Sequence, residues 1–269
     1  MVKTMITDKT LDAMIRKMQD WFVNGCGNCA GPAVVGISGG KDSSVVAAFL
    51  AKSIGKENVY GVLMPNGEQS DIGDSIKLCE TIGIHFITVN IRDAVNGIVN
   101  AIQPDFGAFR PIRDTTRFST NIPPRIRMTV LYAVAQKYGG LVINTTNAAE
   151  AYVGYGTLFG DTCGDFAPIQ NMFVDEVIEL GRTLGLPEHF VVKPPADGLT
   201  GRTDEDVLGF TYADVKQVAL GVEFKTVSPD VEREINRKHR DSEFKRSIIH
   251  LPSIDFYRHS NGEIVGVKL

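Results

Sequence analysis

Seven consecutive residues, Ser38-Gly39-Gly40-Lys41-Asp42-Ser43-Ser44, combine two glycines, an ammonium, a carboxylate and three hydroxyls. They follow the apolar run Ala33-Val34-Val35-Gly36-Ile37 and precede Val45 to Lys52, which reads as a helix. A glycine-rich turn between a strand and a helix is a place to bind phosphate. The backbone can approach the ligand closely, and the first N–H groups of the helix point at it with the positive dipole end behind them. A tight turn without a ligand would not require a lysine and an aspartate in the same stretch. The two commonest nucleotide loops do not fit. A Walker loop needs a glycine five residues before Gly40 and Ser or Thr after the lysine, where this chain has Val35 and Asp42. The G-x-G-x-x-G pattern fails because Ser38 stands two residues after Gly36 and Lys41 stands in the last glycine position.

The elements that must carry this loop are legible from periodicity. Leu11, Met14, Ile15, Met18, Trp21 and Phe22 recur at i, i+3, i+4 and predict a helix over 8–22. Strands are expected at 33–37, 59–64, 85–89 and 141–143, with helices at 45–52, 71–82 and 94–102. After a Pro-, Arg- and Thr-rich loop at about 104–120, Asn121 is the expected N-cap of a helix running to about Tyr138, with Pro123 and Pro124 in its first turn. Continuous apolar strands alternating with helices indicate an α/β fold with a mostly parallel sheet covered on both faces. Beyond 165 the strand signal fades. Helices are expected at 175–184, ended by Pro187, at 212–220 and at 229–240, with a Pro/Gly/acidic loop at 193–206 between them. The expected organisation is one domain over 1–269: an N-terminal helix at 8–22, a nucleotide-binding core at 33–165, and a lid with C-terminal helices at 166–269.

Composition bounds the function classes. A net charge of −4 over 269 residues gives no general attraction to nucleic acid or to an anionic membrane. No apolar run approaches the ~18 residues of a membrane span, and the start has no signal-peptide core. No nucleic-acid or membrane partner is expected, and a cytoplasmic location is. Cys26 and Cys29 form a C-x-x-C, but Cys79 and Cys163 stand alone and supply no second pair, so all four read as structural or incidental thiols.

The string S-G-G-x-D-S, here Ser38 to Ser43, resembles the pyrophosphate loop of the N-type ATP pyrophosphatases. Those enzymes hold the leaving β,γ-phosphates while the α-phosphate is attacked. Three further segments are similar to the ammonia-dependent NAD synthetases of that superfamily. Asn121-Ile122-Pro123-Pro124-Arg125-Ile126-Arg127-Met128 resembles their N-x-x-[AP]-R-x-R-M helix. Asn144-Thr145-Thr146-Asn147-Ala148-Ala149-Glu150, with Gly154 to Asp161, resembles G-T-x-x-x-A-E…G-x-x-T-x-x-G-D. Lys193 to Leu199, with Asp204 to Tyr212, resembles the loop K-x-P-[ST]-[AD]-x-L…D-E-x-x-L-G-x-x-Y that covers their site. Near the end, Phe244-Lys245-Arg246 is similar to H-K-R, with Phe in place of His.

The resemblance implies an adenine nucleotide alpha hydrolase-like fold with a helical C-terminal extension, and an ATP site built from Gly36, Ser38, Gly39, Gly40, Lys41, Asp42, Ser43, Ser44, Thr145 and Lys193. Asp42 and Glu150 would hold Mg²⁺, a hard ion that takes carboxylate and phosphate oxygens. Asn121, Arg125, Asp161, Asp165 and Lys245 would contact deamido-NAD. Asp42, Lys41 and Asp161 would carry the catalysis, with Asp161 orienting or deprotonating ammonia. The implied reaction adenylates a nicotinate carboxylate with ATP and then amidates it, in a homodimer to which the helix at Asn121 contributes. Because the phosphate loop sits at residue 38, no glutaminase domain is expected before it, and free ammonia is the expected nitrogen source. The chain departs from the pattern at Leu158 and Val174, where the family has lysines, and at Ala196, where it has Ser or Thr. Another ATP-pyrophosphatase amide ligase, a tRNA-modifying relative, or a non-catalytic adenine-nucleotide sensor would keep the same loop. The sensor would have no use for a metal-binding carboxylate pair.

Overall fold

The four apolar runs form one parallel sheet in the computed structural model, which describes residues 6–25, 31–102, 115–192, 203–223, 225–248, 252–260 and 262–268. Strands β1 (Ala33–Gly36), β2 (Val59–Leu63), β3 (His85–Thr88) and β4 (Leu141–Ile143) lie in the order β3-β2-β1-β4. Ala33 of the central strand registers with Val59 on one side and Leu141 on the other. Ala33, Val34 and Val35 are fully buried, because both faces of β1 are covered. On one face Val35 packs with α1 (Asp8–Asp20), α2 (Lys41–Ile54) and α3 (Ile72–Ile82), through Met14, Phe49 and Leu78. On the other, Val34, Val62 and Val142 meet Val95 of α4 (Arg92–Ile102) and Val134 of α5 (Thr115–Tyr138). All four β-strands and the helices α1, α3 and α4 fall within a few residues of where periodicity predicts them.

Three boundaries differ from the sequence expectation. Helix α2 begins at Lys41 rather than Val45, with Gly40 as its N-cap, so Lys41, Asp42 and Ser43 form its first turn. Helix α5 begins at Thr115, so Asn121 is an interior residue and not an N-cap. A proline inside a helix removes a donor and crowds the preceding turn, which makes a start just before Pro123 the simplest reading. Packing overrides it: Ile122, Ile126, Val130 and Val134 form one stripe against the sheet, running through the prolines. The third difference is where α7 (Val174–Thr183) ends. Gly185, at φ +78°, ends it, and Pro187 instead precedes the short α8 (Glu188–Val191).

The remaining helices form a second apolar cluster beside the sheet. Ala149 and Val153 of α6 (Ala148–Val153) and Leu208 of α9 (Asp204–Leu208) pack with Val215 of α10 (Tyr212–Ala219) and Ile235 of α11 (Pro229–Asp241). After α12 (Glu243–Ile248) comes an antiparallel hairpin, β5 (Phe256–Arg258) and β6 (Ile264–Val267), which the fading strand signal did not predict. Phe256, Ile264 and Val267 pack into the main core, and the Arg258 guanidinium forks onto the fully buried Glu176 of α7 at 2.6 and 2.9 Å. Among the described residues, no helix is long and apolar enough to cross a membrane.

Candidate active site

The phosphate loop occupies the carboxyl end of β1, at the centre of the sheet, where α/β folds bind nucleotides. Gly39 sits at φ +79°, a conformation that disfavours any residue with a Cβ. The serines brace the turn. Ser38 Oγ accepts from the Gly40 N–H at 3.2 Å, while the Ser43 and Ser44 hydroxyls donate to the Gly40 carbonyl at 3.1 and 2.8 Å. Because α2 starts at Lys41, the unpaired N–H groups of its first turn face the same space, and the acidic Asp42 suits that positive end. Gly36 lies deeper. A Cβ there would stand 3.2 Å from the Met64 methyl, so its smallness serves packing between β1, β2 and α5.

A cavity of about 270 Å³ opens against this loop, lined by Ser38, Gly39, Gly40, Lys41, Asp42, Ser43, Asp71, Thr145, Thr146, Glu150, Tyr155, Asp161 and Asp204. Residues from β1, β4 and their loops, expected to act together, therefore share one cavity. Lys41 is almost wholly buried and its ammonium pairs with Asp42 Oδ2 at 2.9 Å. Burial alone would lower its pKa, but Asp42, Glu150 and Asp204 together raise it. Glu150 is held well above the ordinary carboxyl range, first by burial and then by the neighbouring Asp42 charge. Asp42, Asp71, Glu150, Asp161 and Asp204 stand against one cation, Lys41, among the described lining residues. Such a field rejects a triphosphate unless a further cation enters with it.

Each carboxylate is placed by a neighbour. Asn147 is the buried N-cap of α6: its side chain accepts from the Ala149 and Glu150 N–H groups, and Glu150 Oε2 accepts from the Asn147 N–H at 2.9 Å. Asn147 also reaches Asp42 Oδ1 at 3.4 Å, which ties the first turns of α2 and α6 together. Asn three residues before Glu is a capping-box spacing, so this link had a sequence signal. Asp204, at the start of α9, accepts from the Tyr212 hydroxyl at 3.0 Å, and Lys41 lies over the Tyr212 ring. Both belong to the segment expected to cover the site, although neither had been singled out as a site residue.

Another wall of the cavity is built from the turn at 154–163, through Tyr155 and Asp161. Asp161 Oδ1 accepts from the Thr157 N–H at 2.7 Å, and the Thr157 hydroxyl donates to Asn121 Oδ1 at 2.8 Å. Asn121 thus spends its side chain on this turn. Burial raises the pKa of Asp161, opposed by the Thr157 N–H and by Lys245. Lys245 donates to the Gly154 and Gly156 carbonyls at 2.8 and 2.6 Å, anchoring the same turn from α12. Arg125 reaches its outer side, donating to the Leu158 carbonyl at 3.2 Å. The more enclosed arginine is instead the half-buried Arg127, bonded to the Met64 carbonyl at 3.1 Å and electrostatically coupled to Asp161. Asp165 lies outside the cavity lining: its carboxylate accepts from the Val142 N–H at 2.8 Å and the Tyr132 hydroxyl at 3.3 Å. Val174 packs into the C-terminal helix cluster. Lys193, Ala196, Cys26 and Cys29 lie outside the described residues.

The sequence pattern of the NAD synthase family matches residues 14–251. The chain belongs to the NAD synthase family. It is 40% identical over 186 residues to the NH(3)-dependent NAD(+) synthetase of Thermococcus kodakarensis, covering 68% of this chain and 69% of that one. Among solved structures, NMN synthetase from Francisella tularensis is 33% identical with a TM-score of 0.76, over 91% of this chain and 99% of that one. An NH3-dependent NAD synthetase from Campylobacter jejuni is 25% identical with a TM-score of 0.71, over 90% and 98%. The parallel sheet flanked by helices is therefore the NAD synthase family's adenine nucleotide alpha hydrolase fold. As a member, the chain is an amide-forming ligase that uses ATP.

Proposed function

We propose that this chain adenylates the nicotinate carboxylate of deamido-NAD with ATP and amidates the adenylate with ammonia, giving NAD, AMP and pyrophosphate. One observation carries the reading: phosphate loop, carboxylate pair and Asp161 turn share a single cavity. The route is chemically necessary because hydroxide leaves a carboxylate poorly whereas AMP leaves readily. Loop N–H groups and Lys41 hold the leaving pyrophosphate, and the enclosing turns keep the acyl-adenylate from water. Asp161, next to the acyl carbon in this reading, orients ammonia and takes its proton.

Asp42 and Glu150 supply the oxygen donors that Mg²⁺ takes from a protein, which are one or two carboxylates beside substrate phosphates. The excess of carboxylates around Lys41 makes a divalent cation the natural companion of ATP here. Bound by these residues, it would screen the phosphates and stabilise the charge on the leaving group. A cytoplasmic place of work agrees with the ATP requirement and with the free thiols of Cys79 and Cys163.

A second reading changes the acceptor and keeps the chemistry: the substrate is nicotinate mononucleotide. It is supported by the likeness to NMN synthetase, 33% identical over 91% of this chain with a TM-score of 0.76. The missing lysines at Leu158 and Val174 point the same way, since a mononucleotide carries fewer phosphates to neutralise. One assay tests both readings. With ATP, Mg²⁺ and ammonium, AMP and pyrophosphate should form in step with the amide, and the ratio of kcat/KM for the two acceptors names the substrate. Stoichiometric ADP and phosphate would refute the adenylation route.

Assembly as a homodimer is part of the proposal. Phe86 and Ile87 on edge strand β3, Ile98 and Ile102 on α4, and Tyr138 ending α5 are all more than a third exposed. Apolar side chains gathered on one edge are an unfavourable surface for a lone subunit. The expected solution mass at micromolar concentration is twice 29.3 kDa. A fully active monomer would overturn the assembly.

A further inference from the structure

Asn144 stands directly before Thr145 and Thr146 of the cavity wall, and its side chain is not idle. It lies at the carboxyl end of β4, 3% exposed. Its Nδ2 donates to the backbone carbonyls of Asp161 and Cys163, both at 2.9 Å. Its Oδ1 accepts from the Thr146 N–H at 2.7 Å. Two carbonyls on one side and an N–H on the other fix the orientation of the buried amide. The backbone reinforces the join, since the Asn144 N–H donates to the Phe166 carbonyl at 2.8 Å. Gly164 allows the close approach: a Cβ there would lie 2.9 Å from the Asn144 Cβ.

The two segments so joined both line the cavity, and the Thr146 hydroxyl itself donates to the Asp161 carbonyl at 3.4 Å. In the proposed reaction Thr145 and Thr146 face the nucleotide and Asp161 faces the acceptor. The Thr157 and Asn121 bonds hold the beginning of the Asp161 turn, and the Asn144 amide holds its end. We propose that Asn144 is a positioning residue that sets the Asp161 carboxylate against the nucleotide, so that ammonia is presented to the acyl-adenylate. It touches neither substrate; it acts through the loop it clamps. The inference rests on the synthetase reading and adds the residue that couples its two half-reactions.

Asn144→Asp separates the two sides of the clamp, because it keeps an acceptor for Thr146 and replaces both donors with an oxygen that repels the carbonyls. Two rates are read: ATP–pyrophosphate exchange without ammonia, and amide formation. Exchange should stay within about threefold of wild type, while amide formation falls about 10- to 100-fold with a higher KM for ammonium, the scale for a misplaced reacting group. Backbone hydrogen exchange over 157–164 should quicken in the variant whether or not substrate is present. If the aspartate variant does not fold, Asn144→Ser, which buries no charge and loses one donor, carries the same test. Equal loss of both rates, or no loss of either, would overturn the proposal, as would unchanged hydrogen exchange. A wild-type chain inactive in both assays would instead overturn the synthetase reading, which is a different result from an active wild type whose variants show no split.

Discussion

Asp42→Asn or Glu150→Gln lowers turnover by about two orders of magnitude or more, the scale for losing a preorganised electrostatic group in a closed site. The two differ in what they do to the protein without ligands. Glu150 is half-buried beside Asp42, and desolvation together with that neighbouring charge holds its pKa well above the ordinary value. A group whose folded pKa is raised contributes stability below its unfolded pKa and loses it as pH rises. At neutral pH, then, Glu150 weakens the ligand-free fold, and glutamine removes that cost while keeping an acceptor for the Asn147 N–H. Glu150→Gln should melt higher than wild type at pH 7, with the difference closing as pH falls toward the ordinary carboxyl range. Mg-ATP should raise the melting temperature of wild type and do so much less for the variant. A variant that melts lower at pH 7, or that keeps near-normal turnover, would remove the metal-ligand role and the strain argument together. That pairing of lost activity with gained stability is the signature of a site kept for function at the fold's expense.

The inner strands of the sheet are legible because their residues are buried on both faces. Ala33 to Val35 and Val59 to Leu63 are runs that only a covered strand tolerates, and the phosphate loop is a local string whose meaning does not depend on distant contacts. What stayed hidden depends on contacts far apart in the chain. The start of α5 was misplaced because two prolines say "first turn" locally, while the stripe from Ile122 to Val134 holds a longer helix against β1 and β4. The C-terminal hairpin went unread although Asn261-Gly262 lies between its apolar runs, a strong turn signal; its short strands are stabilised by core packing and the Arg258–Glu176 fork. In the site, family resemblance supplies Asp42 and Glu150 as a metal-binding pair and Asp161 as the residue that handles ammonia. The links among them could not be read from one dimension: Asn147 to Asp42 spans 105 positions, and only Asn147's capping role toward Glu150 leaves a short-range trace.

Asp161→Asn should abolish most amide formation, by about 10²- to 10⁴-fold, the usual contribution of a positioned general base, while leaving ATP–pyrophosphate exchange largely intact. Asparagine keeps an oxygen for the Thr157 N–H, so the turn need not move. What it loses is the charge and the ability to take a proton. The pH dependence distinguishes this from a structural effect. Although Asp161 is exposed along the cavity, desolvation by the surrounding walls raises its pKa, so the carboxylate is protonated at a higher pH than a freely solvated aspartate would be. As pH falls, wild-type amidation therefore declines for two reasons: free ammonia is converted to ammonium, and Asp161 loses its charge. Dividing each rate by the free ammonia concentration removes the first. The decline that remains should be steeper in wild type than in Asp161→Asn, because the variant has no carboxyl at that position to titrate. Every other group of the site is present in both proteins, so its contribution cancels in the comparison. Identical residual profiles would show that Asp161 neither orients nor deprotonates ammonia, and a parallel collapse of pyrophosphate exchange would assign it to binding the acceptor instead.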